Sequence, residues 1–383
     1  MKTINFLTSH FIPENTAATN RVTAYVKELE KFYKINVFAL SEKGVNQPKS
    51  LKFSDKTTVY YINQKEFNQK NFIKRAINEI RHLYKLIRTA KTKRCDLTIA
   101  TTPYMFMIPL CAFLIKGKKI IDIRDLVWEY LGENSFFTKS IKSILRDIMI
   151  LSIKKYNFIV VTNENEKKWI KSHIRENNIL KISNGIEKKK YEILSSLNLY
   201  QNKKFSVTYI GNIGIAQNLK ILVECAKELS EIDFNIIGKG AEYDELKNYA
   251  KTNDIGNINF LGKKSWDEIL YFYENSSVLY AQLDEKFKTA MPSKLYEYAS
   301  TGLPVIYGGV GTAVGFVKNL ENAKAVRPNN KDELKEAILF FKAKERFCSD
   351  KNQDFIRKNY IREEEAKKII KIAELMINEG RKI

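Results

Sequence analysis

The segment from Met291 to Ile306, MPSKLYEYASTGLPVI, concentrates residues that can bind a phosphorylated ligand. Ser293 is predicted to cap a helix whose first turn opens with Lys294 and which ends near Gly302. The N-terminus of a helix presents unpaired backbone N–H groups and a partial positive charge, which suit a diphosphate. Lys294 adds a full positive charge at the same place.

Glu297 lies four residues beyond Ser293, and its carboxylate has two interpretations. It can point towards the ligand and hold the two vicinal hydroxyls of a ribose, or it can simply complement the helix dipole. The residue types and their spacing leave both interpretations open.

The elements that must position these residues form an alternating pattern. Short apolar, β-rich runs are separated by amphipathic segments of helical length, which is typical of doubly wound parallel sheets. The predicted strands are Thr3–Leu7, Ile35–Ala39, Thr58–Ile62, Asp96–Ala100, Lys119–Ile123, Phe158–Val161, Phe205–Ile210, Phe234–Ile237, Ile258–Leu261, Ser277–Tyr280 and Pro304–Tyr307.

The pattern predicts an α/β protein with two Rossmann-like domains, residues 1–185 and 186–363. The polar stretch 187–204 is interpreted as the connection between them, and a C-terminal helix over about 364–383 is expected to pack on the first domain. Because such folds bind ligands at the carboxyl ends of their strands, we expect the ligand in a central cleft that the two domains face.

The 291–306 segment resembles the donor-binding motif of retaining glycosyltransferases of family 4, which have the GT-B fold. The family has two glutamates with seven residues between them, and the second is followed by small residues, Gly and Pro-Val. Glu297 matches the second glutamate, which holds the nucleotide ribose, whereas Thr289 stands in place of the first, which contacts the donor sugar. The Pro292-Ser293-Lys294 variant is similar to the branch that builds surface polysaccharides from deoxy or amino sugars.

Other segments extend the resemblance over nearly the whole chain. VTYIGNIGIAQNLK (207–220) is similar to the glycine loop of the donor domain, with Gly211 in the loop. Asn212 and Gln217 stand where the family often has Arg and Lys, so Lys294 is expected to be the main phosphate cation. The resemblance also implies donor contacts from the turn containing Gly238 and Lys239 and from the backbone at Lys263.

On the acceptor side, the family often has two glycines in the loop of HFIPENTAATNR (10–21). Here Asn15, Thr16 and Ala17 occupy that loop and Arg21 follows in the helix, so the resemblance implies that they bind the acceptor. A plain strand-to-helix turn is the alternative. IIDIRDLVWEY (120–130) is similar to a family segment at a strand end, which implies that Arg124 and Asp125 face the reacting groups.

The charge of the chain is unevenly distributed. Residues 1–185 hold 33 Lys and Arg against 16 Asp and Glu, a net charge of +17, and residues 186–383 hold 32 against 28, a net charge of +4. A basic half suggests an anionic partner such as a membrane surface or a phosphorylated lipid. A predicted helix over 69–94 carries nine cations on one face, and Phe72, Ile73, Ile77, Ile80, Tyr84 and Ile87 on the other. It is either an ordinary surface helix or one that also touches lipid headgroups.

The residues exclude several classes of site and cofactor. Four scattered cysteines and three distant histidines support neither a disulfide framework nor a zinc site, and the sequence has no Asp-x-Asp motif. We therefore expect no cofactor and no metal. No signal peptide or spanning segment is recognisable, which predicts a cytoplasmic protein at the inner face of the membrane.

The family resemblance, together with these observations, implies a retaining, metal-independent hexosyl- or N-acetylhexosaminyltransferase. Its donor would be UDP-linked and its acceptor a lipid-diphosphate-linked saccharide, in capsule, O-antigen or another surface polysaccharide. A nucleotide-sugar epimerase with the same fold is an alternative. A nucleic-acid-binding protein is a second alternative, suggested by net charge alone, but the basic segment has no interleaved aromatics and no nucleic-acid-binding module. We therefore expect no nucleic-acid partner.

Overall fold

A computed structural model describes residues 1–14, 16–64, 72–131, 135–175, 178–199, 204–344 and 348–378. The strands are β1 Thr3–Thr8, β2 Lys34–Leu40, β3 Ser50–Lys52, β4 Thr57–Ile62, β5 Leu97–Thr101, β6 Lys119–Ile123, β7 Phe158–Val161, β8 Ile179–Lys181, β9 Ser206–Ile210, β10 Asp233–Ile237, β11 Ile258–Gly262, β12 Val278–Gln282, β13 Val305–Gly308 and β14 Ala323–Val326.

The helices alternate with these strands. They are α1 Ala17–Leu29, α2 Phe72–Ala90, α3 Met107–Leu114, α4 Phe136–Ile153, α5 Glu164–His173, α6 Lys188–Ser195, α7 Lys220–Glu228, α8 Tyr243–Thr252, α9 Trp266–Glu274, α10 Lys294–Thr301, α11 Thr312–Val317, α12 Lys331–Ala343, α13 Asp350–Asn359, α14 Arg362–Ala366 and α15 Lys368–Asn378.

The chain divides into two compact units. The first consists of Met1–Asn184 with Arg362–Ile383, and the second of Gly185–Ile361. The C-terminal helices α14 and α15 therefore belong to the first unit, where both pack against α1.

The first unit is built on an eight-stranded sheet in the order β3-β4-β2-β1-β5-β6-β7-β8, parallel except for β3. The central strands β1, β2, β5, β6 and β7 are largely buried, as expected for a parallel sheet covered by helices on both faces. In β1, Phe6 packs in the cluster beneath α1 and α15, and the next residue, Leu7, packs in the cluster beneath α2, α3 and α4. This alternation follows from the two-residue period of a strand.

The second unit is built on a six-stranded, entirely parallel sheet in the order β11-β10-β9-β12-β13-β14. Strands β10 and β12 lie on opposite sides of β9. The direction in which successive strands are added to the sheet therefore reverses beside β9. The carboxyl ends of the strands at such a switch point form the ligand crevice of doubly wound folds. The predicted α/β class with two parallel-sheet, Rossmann-like domains is confirmed.

Three short strands were not predicted, namely β3, β8 and β14. They have three or four residues and are at least partly exposed, so no apolar run marks them. The interpretation of 187–204 as a polar connection is wrong in part, because Lys188–Ser195 forms α6, which buries Tyr191 and Leu194 and packs against α10.

The predicted apolar face of the 69–94 helix needs a correction. Residues 69–71 and the side chains of Phe72 and Ile73 lie outside the described part of the chain. Leu83, Leu86, Ile87 and Ala90 face the core, whereas Ile77 and Tyr84 are 45% and 50% exposed. The spacing 83, 86, 87 and 90 gives the buried stripe of a helix, and residues 77 and 84 lie on a different stripe. In the part of the chain that the structure describes, no helix combines the length and the apolarity that a membrane span needs.

Candidate functional site

A cavity of about 220 Å³ opens at the carboxyl ends of β9 and β12, beside the N-terminus of α10. Twelve residues line it, and six of them are residues predicted to bind the donor. These six are Gly211, Asn212, Gln217, Pro292, Ser293 and Lys294. They come from two segments about 75 residues apart in the sequence, which only the parallel sheet brings together.

The N-terminus of α10 differs from the prediction in one respect. Ser293 occupies the N-cap position but has helical backbone angles (φ −60°, ψ −25°), and its side chain makes no capping hydrogen bond. An N-cap side chain normally reaches the next turn from an extended conformation, which Ser293 does not adopt. At the other end, Gly302 caps the helix with φ +77°, as the sequence predicts.

Lys294 and Glu297 form an ion pair one turn apart on α10. The Lys294 ammonium nitrogen lies 2.7 Å from Glu297 Oε2, and the side chains are 29% and 14% exposed. Tyr273 Oη donates a second hydrogen bond to the same carboxylate oxygen, at 3.3 Å. Burial raises the pKa of Tyr273 well above its usual value, so its hydroxyl stays a donor. Glu297 is thereby held in one orientation beside Lys294.

Tyr298 fixes α10 against the strand that precedes the glycine loop. The backbone N–H of Ile210 donates to Tyr298 Oη at 2.9 Å, and the hydroxyl donates back to the Ile210 carbonyl at 3.2 Å. Tyr298 is fully buried and lines the cavity. A buried hydroxyl needs such partners, and these connect the two segments of the site.

Gln282, the last residue of β12, organises the glycine loop. Its side-chain amide donates to the carbonyls of Gln217 and Asn218, both at 2.9 Å. Asn212 and Gln217, the two predicted neutral ligands, are joined by a hydrogen bond of 3.1 Å between their side chains. The sequence reading missed Gln282 because it ended the strand at Tyr280. A polar residue at the carboxyl end of an apolar strand was the available signal.

The turn at Gly238 supports this loop from the other side. Gly238 has φ +143°, and a Cβ placed there would lie 1.8 Å from the Gly211 carbonyl oxygen. The Ile213 N–H donates to the Lys239 carbonyl at 3.0 Å, which joins loop and turn. Only glycine permits this backbone approach.

The remaining predicted donor ligands do not line the cavity. Lys239 is exposed, with its ammonium 4.1 Å from the centroid of the Tyr243 ring. Lys263 is exposed in the loop after β11, and Thr289 lies in the segment between β12 and α10. Their roles remain predictions.

The first unit gathers a polar cluster at the carboxyl ends of β5, β6 and β7. Arg21 is 2% exposed and Asp122 fully buried, and they form an ion pair with Arg21 Nη2 2.7 Å from Asp122 Oδ1. Arg21 also donates to the Ile182 carbonyl at 2.8 Å and to Asn184 Oδ1 at 3.2 Å. The prediction that Arg21 binds an acceptor is therefore corrected: its guanidinium is buried and bound within the domain.

Arg124 and Asp125 follow directly after β6 and are partly exposed, as a residue acting on a ligand must be. The Arg124 N–H donates to Thr102 Oγ1 at 2.9 Å, and Tyr130 Oη donates to Asp125 Oδ1 at 3.2 Å. Among the described residues, Arg124 Nε has no hydrogen-bond partner although it is buried. Burial raises the pKa of Asp125, and burial together with the Arg21 charge lowers that of Arg124.

Glu166, which the sequence reading did not single out, is buried in the same cluster. Its Oε2 accepts hydrogen bonds from the Thr162 N–H and hydroxyl, both at 2.8 Å, and that hydroxyl lies 3.4 Å from the Arg124 carbonyl. Burial, with repulsion from Asp125, raises the pKa of Glu166 to about 8. At neutral pH this carboxyl is therefore mostly protonated.

The loop at 10–21 is only partly described, since Asn15 lies outside the described residues. Thr16 caps α1 by accepting a hydrogen bond from the Thr19 N–H, and Ala17 is exposed. Thr16, His10 and Glu14 line an open depression of about 670 Å³, where His10 Nδ1 and Glu14 Oε2 are 2.6 Å apart. Of the three predicted acceptor residues that the structure describes, Thr16 lines this depression, and Ala17 and Arg21 do not.

Within the described ranges, no group of three or more His, Cys, Asp or Glu side chains could hold a metal ion. Cys95, Cys111, Cys225 and Cys348 are free thiols, and Cys111 and Cys225 are buried.

With this geometry established, the chain can be compared with known proteins. Residues 189–362 match the family model of Glycosyl transferases group 1. This range covers nearly the whole second unit and includes every residue lining its cavity. The match supports a glycosyltransferase group 1 domain in the second unit.

Two curated relatives are also named as glycosyltransferases. An uncharacterized glycosyltransferase of Haemophilus influenzae is 24% identical over 220 residues, covering 56% of this chain and 59% of that protein. An uncharacterized glycosyltransferase of Methanocaldococcus jannaschii is 30% identical over 211 residues, covering 50% of this chain and 55% of that protein. The chain thus spans somewhat more than half the length of each of these relatives.

Solved structures share the fold over nearly the full chain. A sucrose-phosphate synthase of Thermosynechococcus elongatus has a TM-score of 0.77 at 14% identity, covering 98% of this chain and 99% of that one. The Anabaena protein HepE, solved with UDP and glucose, has a TM-score of 0.67 at 14% identity, covering 98% and 100%. These similarities establish the GT-B type of fold, with two Rossmann-like domains.

Proposed function

We propose that this protein is a glycosyltransferase that takes a sugar from a nucleotide diphosphate donor bound in the second unit. The observation that carries the proposal is the cavity at β9, β12 and α10, where six predicted donor residues meet around Lys294. Lys294 and the N-terminal backbone of α10 would stabilise the diphosphate as it leaves. The orientation of Glu297 by Tyr273 favours a role in holding the ribose over a role in helix stability alone.

The donor is proposed to be UDP-linked, and the transferred group a hexose, a deoxy sugar or an N-acetylamino sugar. UDP is the nucleotide in the Anabaena structure that shares this fold. Thr289, in place of the glutamate expected by resemblance, leaves the sugar itself open. The acceptor is proposed to be a lipid-diphosphate-linked saccharide in capsule, O-antigen or other surface polysaccharide synthesis, reached at the inner face of the membrane.

The reaction is proposed to retain the anomeric configuration and to need no metal. The bond between the anomeric carbon and the diphosphate oxygen breaks, and the acceptor hydroxyl forms the new bond on the same face of the sugar. The leaving diphosphate takes the hydroxyl proton, so a protein base is not obligatory. Asp125 would orient the acceptor, because it is partly exposed at a strand end and fixed by Tyr130.

A panel of nucleotides and nucleotide sugars, screened by thermal shift, tests the donor site. A ligand that binds only the folded protein raises the melting temperature. UDP and UDP-sugars should raise it, and Lys294→Ala should abolish most of that shift. No stabilisation by any nucleotide would contradict the proposal.

The alternative reactions are separated by turnover. Release of UDP that requires a lipid-linked acceptor and proceeds in excess EDTA supports a metal-independent transferase. Interconversion of the sugar without any acceptor would instead indicate an epimerase. NMR of the product then reports whether the anomeric configuration is retained.

A further inference from the structure

A loop after the edge strand β14 reaches the glycine loop that borders the donor cavity. Asn218 ends the glycine loop and Asn329 lies just beyond β14, and each stands two residues before a helix, α7 or α12. These two helices pack against each other, which brings the asparagines together although they are 111 positions apart in the sequence. Asn218 Nδ2 donates a hydrogen bond of 2.8 Å to Asn329 Oδ1.

Gln282 joins this pair to the sheet. Its side-chain amide donates to Asn329 Oδ1 at 3.2 Å, and the Asn329 N–H donates to Gln282 Oε1 at 3.3 Å. In the sheet β13 lies between β12 and β14, and its last residue, Gly308, is the partner of Gln282. A Cβ at Gly308 would lie 2.6 Å from Gln282 Oε1. The glycine therefore leaves the space through which Gln282 reaches Asn329.

Both asparagines have a backbone conformation that is uncommon for residues with a side chain. The φ angle is +37° at Asn218 and +61° at Asn329. In the part of the chain that the structure describes, one other non-glycine residue has a positive φ, Asp254 at +53°. Such a conformation costs free energy and persists where the surrounding contacts impose it. Two of these three residues are bonded to each other, so backbone strain is concentrated beside the donor cavity.

Neither asparagine lines the cavity, but their neighbours do. Asn212, Gln217 and Gln282 are lining residues. Asn212 Nδ2 donates to Gln217 Oε1 at 3.1 Å, which leaves the side-chain N–H groups of Gln217 for a ligand. A neutral donor binds a phosphate only at the correct distance and angle, whereas a cation attracts it from any direction. The orientation of this loop therefore matters more than it would if the loop contained cations.

We propose that Asn329 is a positioning residue for the donor diphosphate. It holds the glycine loop through Asn218 and Gln282, so that Asn212 and Gln217 face the phosphates without rearrangement on binding. The inference rests on the proposed function in naming a nucleotide diphosphate as the ligand. It goes further by assigning part of the donor affinity to the loop after β14, which does not line the cavity.

A purely structural role is the alternative, and glycine substitutions separate the two. Glycine adopts a positive φ readily, so Asn329→Gly removes the side chain while it relieves the backbone strain. The melting temperature of this variant should therefore stay close to that of the wild type. The matched control is Asp254→Gly, at an exposed residue of positive φ before β11 that does not line the cavity.

Titration calorimetry with UDP and with uridine measures the effect on the donor site. Asn329→Gly should weaken UDP binding about fivefold, as expected for one lost hydrogen bond, and leave uridine binding nearly unchanged. Asn329→Asp keeps the acceptor oxygen and tolerates a positive φ, so it should restore UDP binding at high salt, where its charge is screened. Asp254→Gly should bind UDP as the wild type does. Wild-type UDP affinity in Asn329→Gly, or an equal loss for uridine, would overturn the proposal.

A double-mutant cycle tests whether the two asparagines act through their shared hydrogen bond. Asn218→Gly removes the donor of that bond and also relieves a positive φ. The double variant with Asn329→Gly should lose clearly less UDP affinity than the product of the two single losses. Losses that simply multiply would show that the two residues act independently and would overturn the assignment.

Hydrogen exchange without any ligand reports on the loop independently of the donor. The amides of residues 213–218 should exchange faster in Asn329→Gly than in the wild type or in Asp254→Gly, because the loop opens more often. If the wild type bound no UDP, the proposed transferase would be contradicted. Faster exchange would then still support the ordering of the loop by Asn329, whereas unchanged exchange would overturn it.

Discussion

Lys294 and Glu297 lie on the same side of α10, with the ammonium nitrogen 2.7 Å from the carboxylate oxygen. The family resemblance implies separate tasks for the two residues, phosphate binding by Lys294 and ribose binding by Glu297. Their pairing means that Glu297 also holds Lys294 in place at the mouth of the cavity. A phosphate that approaches Lys294 meets a cation whose position is already fixed.

Replacing Lys294 should separate diphosphate binding from nucleoside binding. Lys294→Ala is expected to weaken UDP binding by at least about tenfold, since a charge-assisted hydrogen bond is lost. It should leave the affinity for uridine nearly unchanged. Isothermal titration with both ligands measures this, and Lys247→Ala, an exposed lysine on α8, is the control. Equal losses for UDP and uridine would contradict a phosphate role.

Gln282 should control the glycine loop without being part of the ligand. Gln282→Ala leaves the Gln217 and Asn218 carbonyls without their side-chain donor, which is expected to cost about 1–3 kcal/mol of stability. UDP affinity should fall as the loop loses its fixed conformation. Chemical denaturation and hydrogen exchange of residues 211–218 measure the two effects. Unchanged exchange in that loop would show that other contacts hold it.

Gly238 should tolerate no side chain. Gly238→Ala places a Cβ 1.8 Å from the Gly211 carbonyl oxygen at φ +143°. Backbone strain alone is expected to cost roughly 1–3 kcal/mol, and the overlap adds to this. Gly256→Ala is the control, because a Cβ at Gly256 meets nothing within 4 Å. Thermal unfolding of the two variants should therefore differ clearly, and equal melting temperatures would contradict the close packing.

The Arg21–Asp122 pair should be structural. Arg21→Ala leaves a buried carboxylate unpaired and is expected to destabilise the protein by about 3–5 kcal/mol. The double change Arg21→Met with Asp122→Leu should be much less harmful, because it removes both charges together. A double-mutant cycle by urea denaturation, with Arg21→Met and Asp122→Leu alone and combined, measures the coupling. Stable single variants that lose only acceptor binding would restore the original prediction for Arg21.

Glu166 should make stability depend on pH. Its pKa is about 8 in the folded protein against 4.5 ordinarily, so the folded state keeps a proton that the unfolded state releases. The contribution of Glu166 to the free energy of unfolding is fully present below pH 4.5. It decreases by roughly 1.4 kcal/mol per pH unit as the pH rises towards 8. Glu166→Gln should flatten this decline.

Melting temperatures across that pH range measure the effect. Glu164→Gln, at an exposed position on the same helix, should decline as the wild type does. A decline in Glu166→Gln as steep as in the wild type would assign the pH dependence to another group.

The sequence by itself determined the fold class and the polar residues available in the 291–306 segment. The periods of strands and helices depend on neighbouring residues in the sequence, so apolar runs can be assigned to elements before the fold is known. The end of α10 at Gly302, which has the αL conformation, is one such prediction that the structure confirms. The helical period wrongly predicted that Ile77 and Tyr84 belong to the face that packs on the core. An amphipathic pattern does not show which of two apolar stripes packs against a neighbouring element.

Tertiary structure decided what each polar residue touches. Arg21 looked like a ligand-binding residue, and the sheet buried it against Asp122, 101 residues away. Gln282 stands at a strand end, but the sequence does not show that it contacts Gln217 and Asn218. Tyr298 carries no local signal, because its partner Ile210 lies on a strand that is distant in the sequence. The raised pKa of Glu166 follows from burial and from Asp125, a neighbour only in space. Hydrogen bonds and pKa values depend on burial and on neighbours in space, and only the folded chain sets these.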